Sequence, residues 1–158
     1  MAICSCAIER LIYQYAAFMD AGDFDAVGGL FDSAALVYLP MGKPITGREK
    51  VAKHFRDHII VFPETGTPCT MHQVSNVIID IDHSGNFATA NAMYNAWQCL
   101  PDEPPELLSM GKYADRFARR DGVWHFTERR VSPVYFGDLS RHLLGYEKWQ
   151  MPLQQRVK

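Results

Sequence analysis

The chain has no long apolar run. Short stretches such as 59–62 and 77–79 fall far below the roughly 18 residues that a membrane helix requires. It has no basic excess either. With 16 Lys+Arg against 18 Asp+Glu, the formal charge is −2, which argues against the electrostatic footprint of a nucleic-acid protein. Cysteine is scarce and unpaired in sequence: Cys4, Cys6, Cys69 and Cys99 show no CxxC spacing, so a zinc site of that type is excluded. Glu9 and Arg10 interrupt the start early, where a signal peptide would be basic and then apolar. A cytoplasmic protein with reduced thiols is therefore expected. There is no internal repeat, low-complexity tract or Pro/Ser-rich linker, so residues 1–158 read as one domain. Aromatic residues, in contrast, are plentiful at 12% of the chain, enough for a thick core or for the wall of an apolar ligand site.

Periodicity divides the chain into a helical and a stranded part. Ile8, Leu11, Ile12, Tyr15 and Met19 recur at three- and four-residue spacing, the stripe of an amphipathic helix. Gly22 ends it, and Asp23 is placed to cap a second short helix bearing Phe24, Val27, Leu30 and Phe31. Residues 36–39 form a short strand before Pro40, and 47–60 form a third helix with Val51, Phe55 and Ile59 on one side. From residue 69 the period falls to two. Strands are expected over 71–81, 87–100, 107–119 and 123–131, with turns at 82–86 and at Asp121-Gly122. Pro101, Pro104 and Pro105 mark a surface loop, and a short helix is expected near 138–144.

Helices first and strands later define an α+β fold. A curved antiparallel sheet wrapped around three N-terminal helices would leave a conical cavity between the two layers, a natural small-molecule site. Two candidate acid-base residues belong there. Asp20 ends the first helix and His72 lies near the start of the first long strand. A carboxylate beside an imidazole fixes its tautomer and favours its protonated form, which makes the histidine a better general base. Asn76, four residues after His72, shares its strand face by simple alternation. His54 and His58 are spaced i, i+4 on a helix but have no HExxH context or third ligand. They read as a solvated face, and no metal is expected. Arg116, Arg119, Arg120, Arg129 and Arg130 read as a solvated sheet face or an oligomer contact. Trp124, Phe126 and Phe31 read as core. Phe55 does too, although with Met19 it is also a candidate for the cavity lining. Trp97 and Tyr113 are candidates for the cavity wall.

An ordered set of short motifs carries a family resemblance. The set comprises residues 11–15 (LIYQY), 19–23 (MDAGD), Leu30-Phe31, 47–49 (GRE), 70–74 (TMHQV), 111–117 (GKYADRF) and 121–124 (DGVW). Over residues 7–136, with 137–158 as a C-terminal tail, the chain resembles the SnoaL-like branch of the nuclear transport factor 2-like superfamily. The resemblance implies a cone-shaped, cystatin-like fold. It is similar to scytalone dehydratases, bile-acid 7-alpha-dehydratases and hexachlorocyclohexane dehydrochlorinases, which are cofactor-free lyases that remove a proton with a His-Asp pair. It thus implies His72 and Asp20 as that pair, and Tyr38 and Tyr15 as pocket tyrosines near a substrate oxygen. Two departures stand out. Met19 occupies the place of a tyrosine found before the Asp in scytalone dehydratases. The second long strand offers only Tyr94, Asn95, Ala96 and Trp97 where the dehydratases carry an acid or histidine.

The expected activity is a cofactor-independent lyase, a dehydratase, acting on a small hydrophobic cyclic substrate. Polyketide cyclisation and isomerisation in the same pocket remain open. So does a non-catalytic binding or scaffold module like the small subunits of ring-hydroxylating dioxygenases. A homo-oligomer, dimer or trimer, is expected from a sheet face that a small domain leaves uncovered.

Overall fold

The computed structural model describes residues 5–40 and 42–148. Expectations for Cys4 and for the tail beyond residue 148 lie outside these residues. Helix α1 (Cys6–Ala21) buries Ile8, Ile12, Tyr15, Ala16 and Met19 along one face. It ends where Gly22 adopts a left-handed φ of 70°, and the amides of Gly22 and Asp23 return to the carbonyls of Met19 and Phe18. The Asp23 carboxylate then accepts the amide of Ala26 at 2.9 Å and caps α2 (Phe24–Leu30). Helix α3 (Arg48–His58) buries Val51, Ala52 and Phe55. It packs tightly on α2: a Cβ at Gly28 would lie 2.5 Å from the Arg48 carbonyl oxygen.

The strands are β1 (Ala35–Tyr38), β2 (Pro44–Thr46), β3 (Thr70–Ile81), β4 (Phe87–Gln98), β5 (Glu106–Arg120) and β6 (Val123–Phe136). They form one sheet in the order β2-β1-β6-β5-β4-β3. The sheet is mixed rather than wholly antiparallel, because β1 runs parallel to β6, with Leu36 opposite Arg129. The chain reaches that edge through α2 and not through a hairpin, which frees the strand from antiparallel direction. The four long strands follow a meander whose turns fall at residues 82–86 and at Asp121-Gly122, as expected.

Alternation on β4 turns Ala88, Ala90, Ala92, Tyr94 and Ala96 toward the helices. Of these, Ala88, Ala90, Ala92 and Tyr94 join Phe31, Phe117, Trp124 and Phe126 in the core. Two irregularities reset the alternation elsewhere. A bulge on β3 between Ser75 and Ile78 moves the inward set from residues 70, 72 and 74 to 77, 79 and 81. Another on β6 opposite Arg116 and Phe117 moves it from Trp124 and Phe126 to Arg129 and Val131. Gly111 on β5 is fixed by close approach, since a Cβ there would meet the Ser132 carbonyl oxygen at 2.4 Å and the Tyr94 ring at 2.8 Å.

The expected helix near 138–144 is instead a strap of turns followed by a single 3-10 turn at Tyr146–Lys148. The strap is stapled to the end of α3: the Ile60 amide donates to the His142 carbonyl (2.9 Å) and the Leu144 amide to that of His58 (2.8 Å). The His142 carbonyl and the Leu144 amide are thus spent on another element, while the amides of His142 and Leu143 turn back on the Leu139 carbonyl, which makes a turn and not a continuing helix. Cys69 and Cys99 are free thiols, whereas Cys6 is engaged in a disulfide, unlike the expected reduced state. No helix of the described residues is long and apolar enough to cross a membrane.

Candidate active site

Between the helices and the sheet lies a cavity of about 180 Å³. Tyr15 and Met19 of α1, Tyr38 of β1, His54, Phe55 and His58 of α3, His72 of β3, Tyr94 of β4 and Tyr113 of β5 line it, and the strap adds Leu139, His142 and Leu143.

Asp20 and His72 meet at its edge. Asp20 occupies the last turn of α1, and His72 faces inward from β3 before the bulge. The Asp20 carboxylate accepts three hydrogen bonds. His72 Nδ1–H donates to Oδ1 at 2.5 Å, the His72 amide donates to Oδ2 at 2.8 Å, and the Thr70 hydroxyl donates to Oδ1 at 2.8 Å. Burial alone would raise the Asp20 carboxyl pKa, but the bonds and charge from His72, with help from Thr70, outweigh it and hold the carboxyl below its ordinary value. The carboxylate therefore stays ionised and fixes Nδ1 as the protonated nitrogen. In the neutral ring, Nε2 is then the nitrogen that carries the lone pair. The His72 side chain is only 10% exposed.

Tyrosines form the far wall. The hydroxyls of Tyr15 and Tyr38 lie close enough for each to shift the other's pKa. Tyr113 stacks on Tyr94 with ring centroids 4.6 Å apart and meets Tyr15 edge-on at 6.0 Å. Burial raises the phenol pKa of all four, that of Tyr94 to about 12, so they remain hydrogen-bonding neutral groups at neutral pH. Beneath them, Arg129 and Asp115 are wholly buried and joined by two parallel hydrogen bonds of 2.9 and 2.6 Å. The Arg129 guanidinium also lies 4.4 Å from the Tyr15 ring centre and 4.2 Å from that of Tyr113. Its positive charge opposes the effect of burial on both phenols.

The structure gathers Asp20, His72, Tyr15, Tyr38, Tyr113, Phe55 and Met19 at or around one cavity. It does not bring Asn76 or Trp97 there. The β3 bulge turns Asn76 outward, with φ 52° and its side chain on Met93 Sδ. Trp97 has the odd parity of β4, opposite Tyr94 and Ala96. His54 and His58, read as a solvated face, point to the cavity because α3 turns that side toward Tyr38, with the His54 and Tyr38 ring centres 5.8 Å apart. Arg129, read as part of a solvated set, is carried inside by the β6 bulge. Thr70, Tyr94 and His142 were missed. Thr70 was accessible to reasoning, since it sits two residues from His72 on the same strand face. Among the described residues, no group of three His, Cys, Asp or Glu is arranged to hold a metal ion.

Helices on a curved mixed sheet, enclosing a cavity with a carboxylate-clamped histidine, place the protein among the NTF2-like folds, also described as cystatin-like. An NTF2-like protein with a cystatin-like fold from Novosphingobium aromaticivorans superposes with a TM-score of 0.66 at 17% identity, over 85% of this chain and 84% of that one. Residues 5–130 match the SnoaL-like domain, and the chain belongs to that family. A protein described as a putative scytalone dehydratase, also from N. aromaticivorans, is 26% identical over 84% of this chain and 85% of its own, with a TM-score of 0.64. The structure of LinA aligns at 20% identity over 85% of this chain and 88% of its own, with a TM-score of 0.67. No curated protein sequence matches the chain.

Proposed function

We propose that the protein is a cofactor-independent lyase of the dehydratase type, with His72 as general base and Asp20 as its positioning partner. The observation that carries this reading is the three-bond clamp on Asp20. It orients one imidazole, sets its tautomer and leaves a single lone pair for a ligand. A scaffold module needs none of this. The family assignment and the likeness to a putative scytalone dehydratase support the same reading.

In this mechanism, Nε2 of His72 takes a proton from a carbon next to a carbonyl. The Asp20 carboxylate stabilises the imidazolium that results. The neighbouring Tyr15 and Tyr38 hydroxyls face the oxygen on which negative charge develops. The electron pair of the broken C–H bond forms the new C=C bond and expels a β-hydroxyl. The imidazolium returns its proton to that hydroxyl, so that the products are an enone and water. The size of the site favours elimination over closure of a polyketide chain. An apolar cavity of about 150 Å³ accommodates benzene, so about 180 Å³ suits a single substituted ring. We further propose that the protein is a homo-oligomer, because Met71, Ile78, Phe87 and Met93 lie exposed on the outer face of β3 and β4. A light-scattering mass equal to one chain would refute that.

The test of the reaction is a panel of single-ring β-hydroxy ketones, followed by the ultraviolet absorbance of the enone. His72→Ala and Asp20→Asn should each lower turnover of a hydrated substrate by about 10²–10⁴-fold, the usual worth of a positioned base. Full turnover by His72→Ala would overturn the proposal.

A further inference from the structure

The second long strand lacks the acid or histidine that would hold a leaving group, but the strap supplies an imidazole. His142 lines the same cavity as His72. It lies near enough for the charge of His72 to act on it, and burial with that charge lowers its pKa to about 4. The ring is thus neutral near pH 7, with one nitrogen that donates and one that accepts. Its Nδ1 is buried with no hydrogen-bond partner among the described residues. Its backbone is held on both sides, by the Ile60 amide on its carbonyl and by its own amide on Leu139. A ring nitrogen sealed as completely as Nδ1 is not reached from the cavity, so the nitrogen left to meet a ligand oxygen is Nε2.

We propose that His142 is the oxygen anchor of the site, a catalytic residue that hydrogen-bonds a hydroxyl or keto oxygen of a single-ring ligand near the histidine base. Resting on the dehydratase reading, it assigns the hydroxyl that departs to the strap side of the cavity and the acidic carbon to the His72 side. The anchor itself donates no net proton. It holds the oxygen while the imidazolium of His72 completes the leaving water.

The probes are phenol and toluene, two single rings of similar size of which only phenol bears oxygen. Binding to the full chain is measured by calorimetry and by the imidazole ¹⁵N resonances. Phenol should bind the natural protein about tenfold more tightly than toluene, the worth of one net hydrogen bond. It should also shift the His142 nitrogen signals, which toluene should leave in place. His142→Leu should remove the preference for phenol while keeping toluene affinity, which shows that the variant folds and retains its cavity. His142→Asn should restore part of the preference. The inference is overturned if the preference survives in His142→Leu, if Tyr38→Phe abolishes it instead, or if phenol moves only the His72 signals. These readouts need no turnover. A failed dehydratase assay with a His142-dependent phenol preference would therefore sink the reaction and spare the anchor, and the reverse result would sink the anchor alone.

Discussion

Replacing Asp115 by Asn tests the most deeply buried charge in the fold. Both Asp115 and Arg129 are inaccessible to solvent, and their two hydrogen bonds are short and parallel. Burial by itself would lower the Arg129 pKa, but the Asp115 charge outweighs it and the net shift is upward, so the guanidinium remains charged throughout the accessible pH range. The Asn variant leaves that cation in the core, supported only by the faces of Tyr15, Tyr113 and Phe126. Cation–π contacts of about 0.5–2 kcal/mol do not replace a carboxylate in a dry interior. Removing one member of a buried pair costs about 3–5 kcal/mol. At about 2–4 °C per kcal/mol for a domain of this size, the melting temperature should fall by about 6–20 °C. Circular dichroism during thermal and urea denaturation measures both quantities. The paired variant Asp115→Leu with Arg129→Met should recover most of the loss, because it removes both charges and keeps apolar volume. The reasoning is refuted if Asp115→Asn costs less than about 1 kcal/mol, or if the paired variant is less stable than Asp115→Asn.

Three further predictions follow from the same geometry. Burial lowers the pKa of His54 and His142 from 6.5 to about 4, so the unfolded chain binds more protons between those values and stability should fall as pH drops from about 6.5 to about 4. Below its ordinary 3.8, protonation of Asp20 removes a further stabilising charge, and urea midpoints across pH in His54→Leu and Asp20→Asn should flatten the upper and lower windows respectively. Gly111→Ala should destabilise by about 1–3 kcal/mol in urea, because its methyl meets strand backbone that is not free to yield. Asn76→Gly should be neutral or stabilising and Asn76→Val destabilising by about 1 kcal/mol, given the left-handed φ of 52°. Neither change at Asn76 should alter phenol binding, and an altered affinity would return that residue to the site.

The helices and the meander were legible because their apolar periods are long and their punctuation is local. Asp23 caps, Gly22 terminates and Asp121-Gly122 turns for reasons contained in a few residues. The pairing of Asp20 with His72 was not local. Fifty-two positions separate them, and only the resemblance joined them before the structure did. Asn76 and Arg129 went astray for one shared reason: a bulge adds a residue to the count, so even and odd exchange faces beyond it. Nothing in the composition of 75–77 or 126–128 announces that slip. Trp97 is different, since unbroken counting from Ala88 already turned it away. His142 had no signal at all, because the strap has neither period and takes its shape from the end of α3.

That strap also finishes a helix. The last carbonyls of α3 have no partners within the helix, and the Leu144 amide takes the one from His58. A segment about eighty residues downstream in sequence thus serves as the C-terminal cap of the helix that presents His54, His58 and Phe55. Cutting the chain at Phe136 would therefore do more than uncover the cavity. It would fray the final turn of α3 and blur the histidine wall from the opposite side, so the polar lining of the site is complete only when the strap has docked.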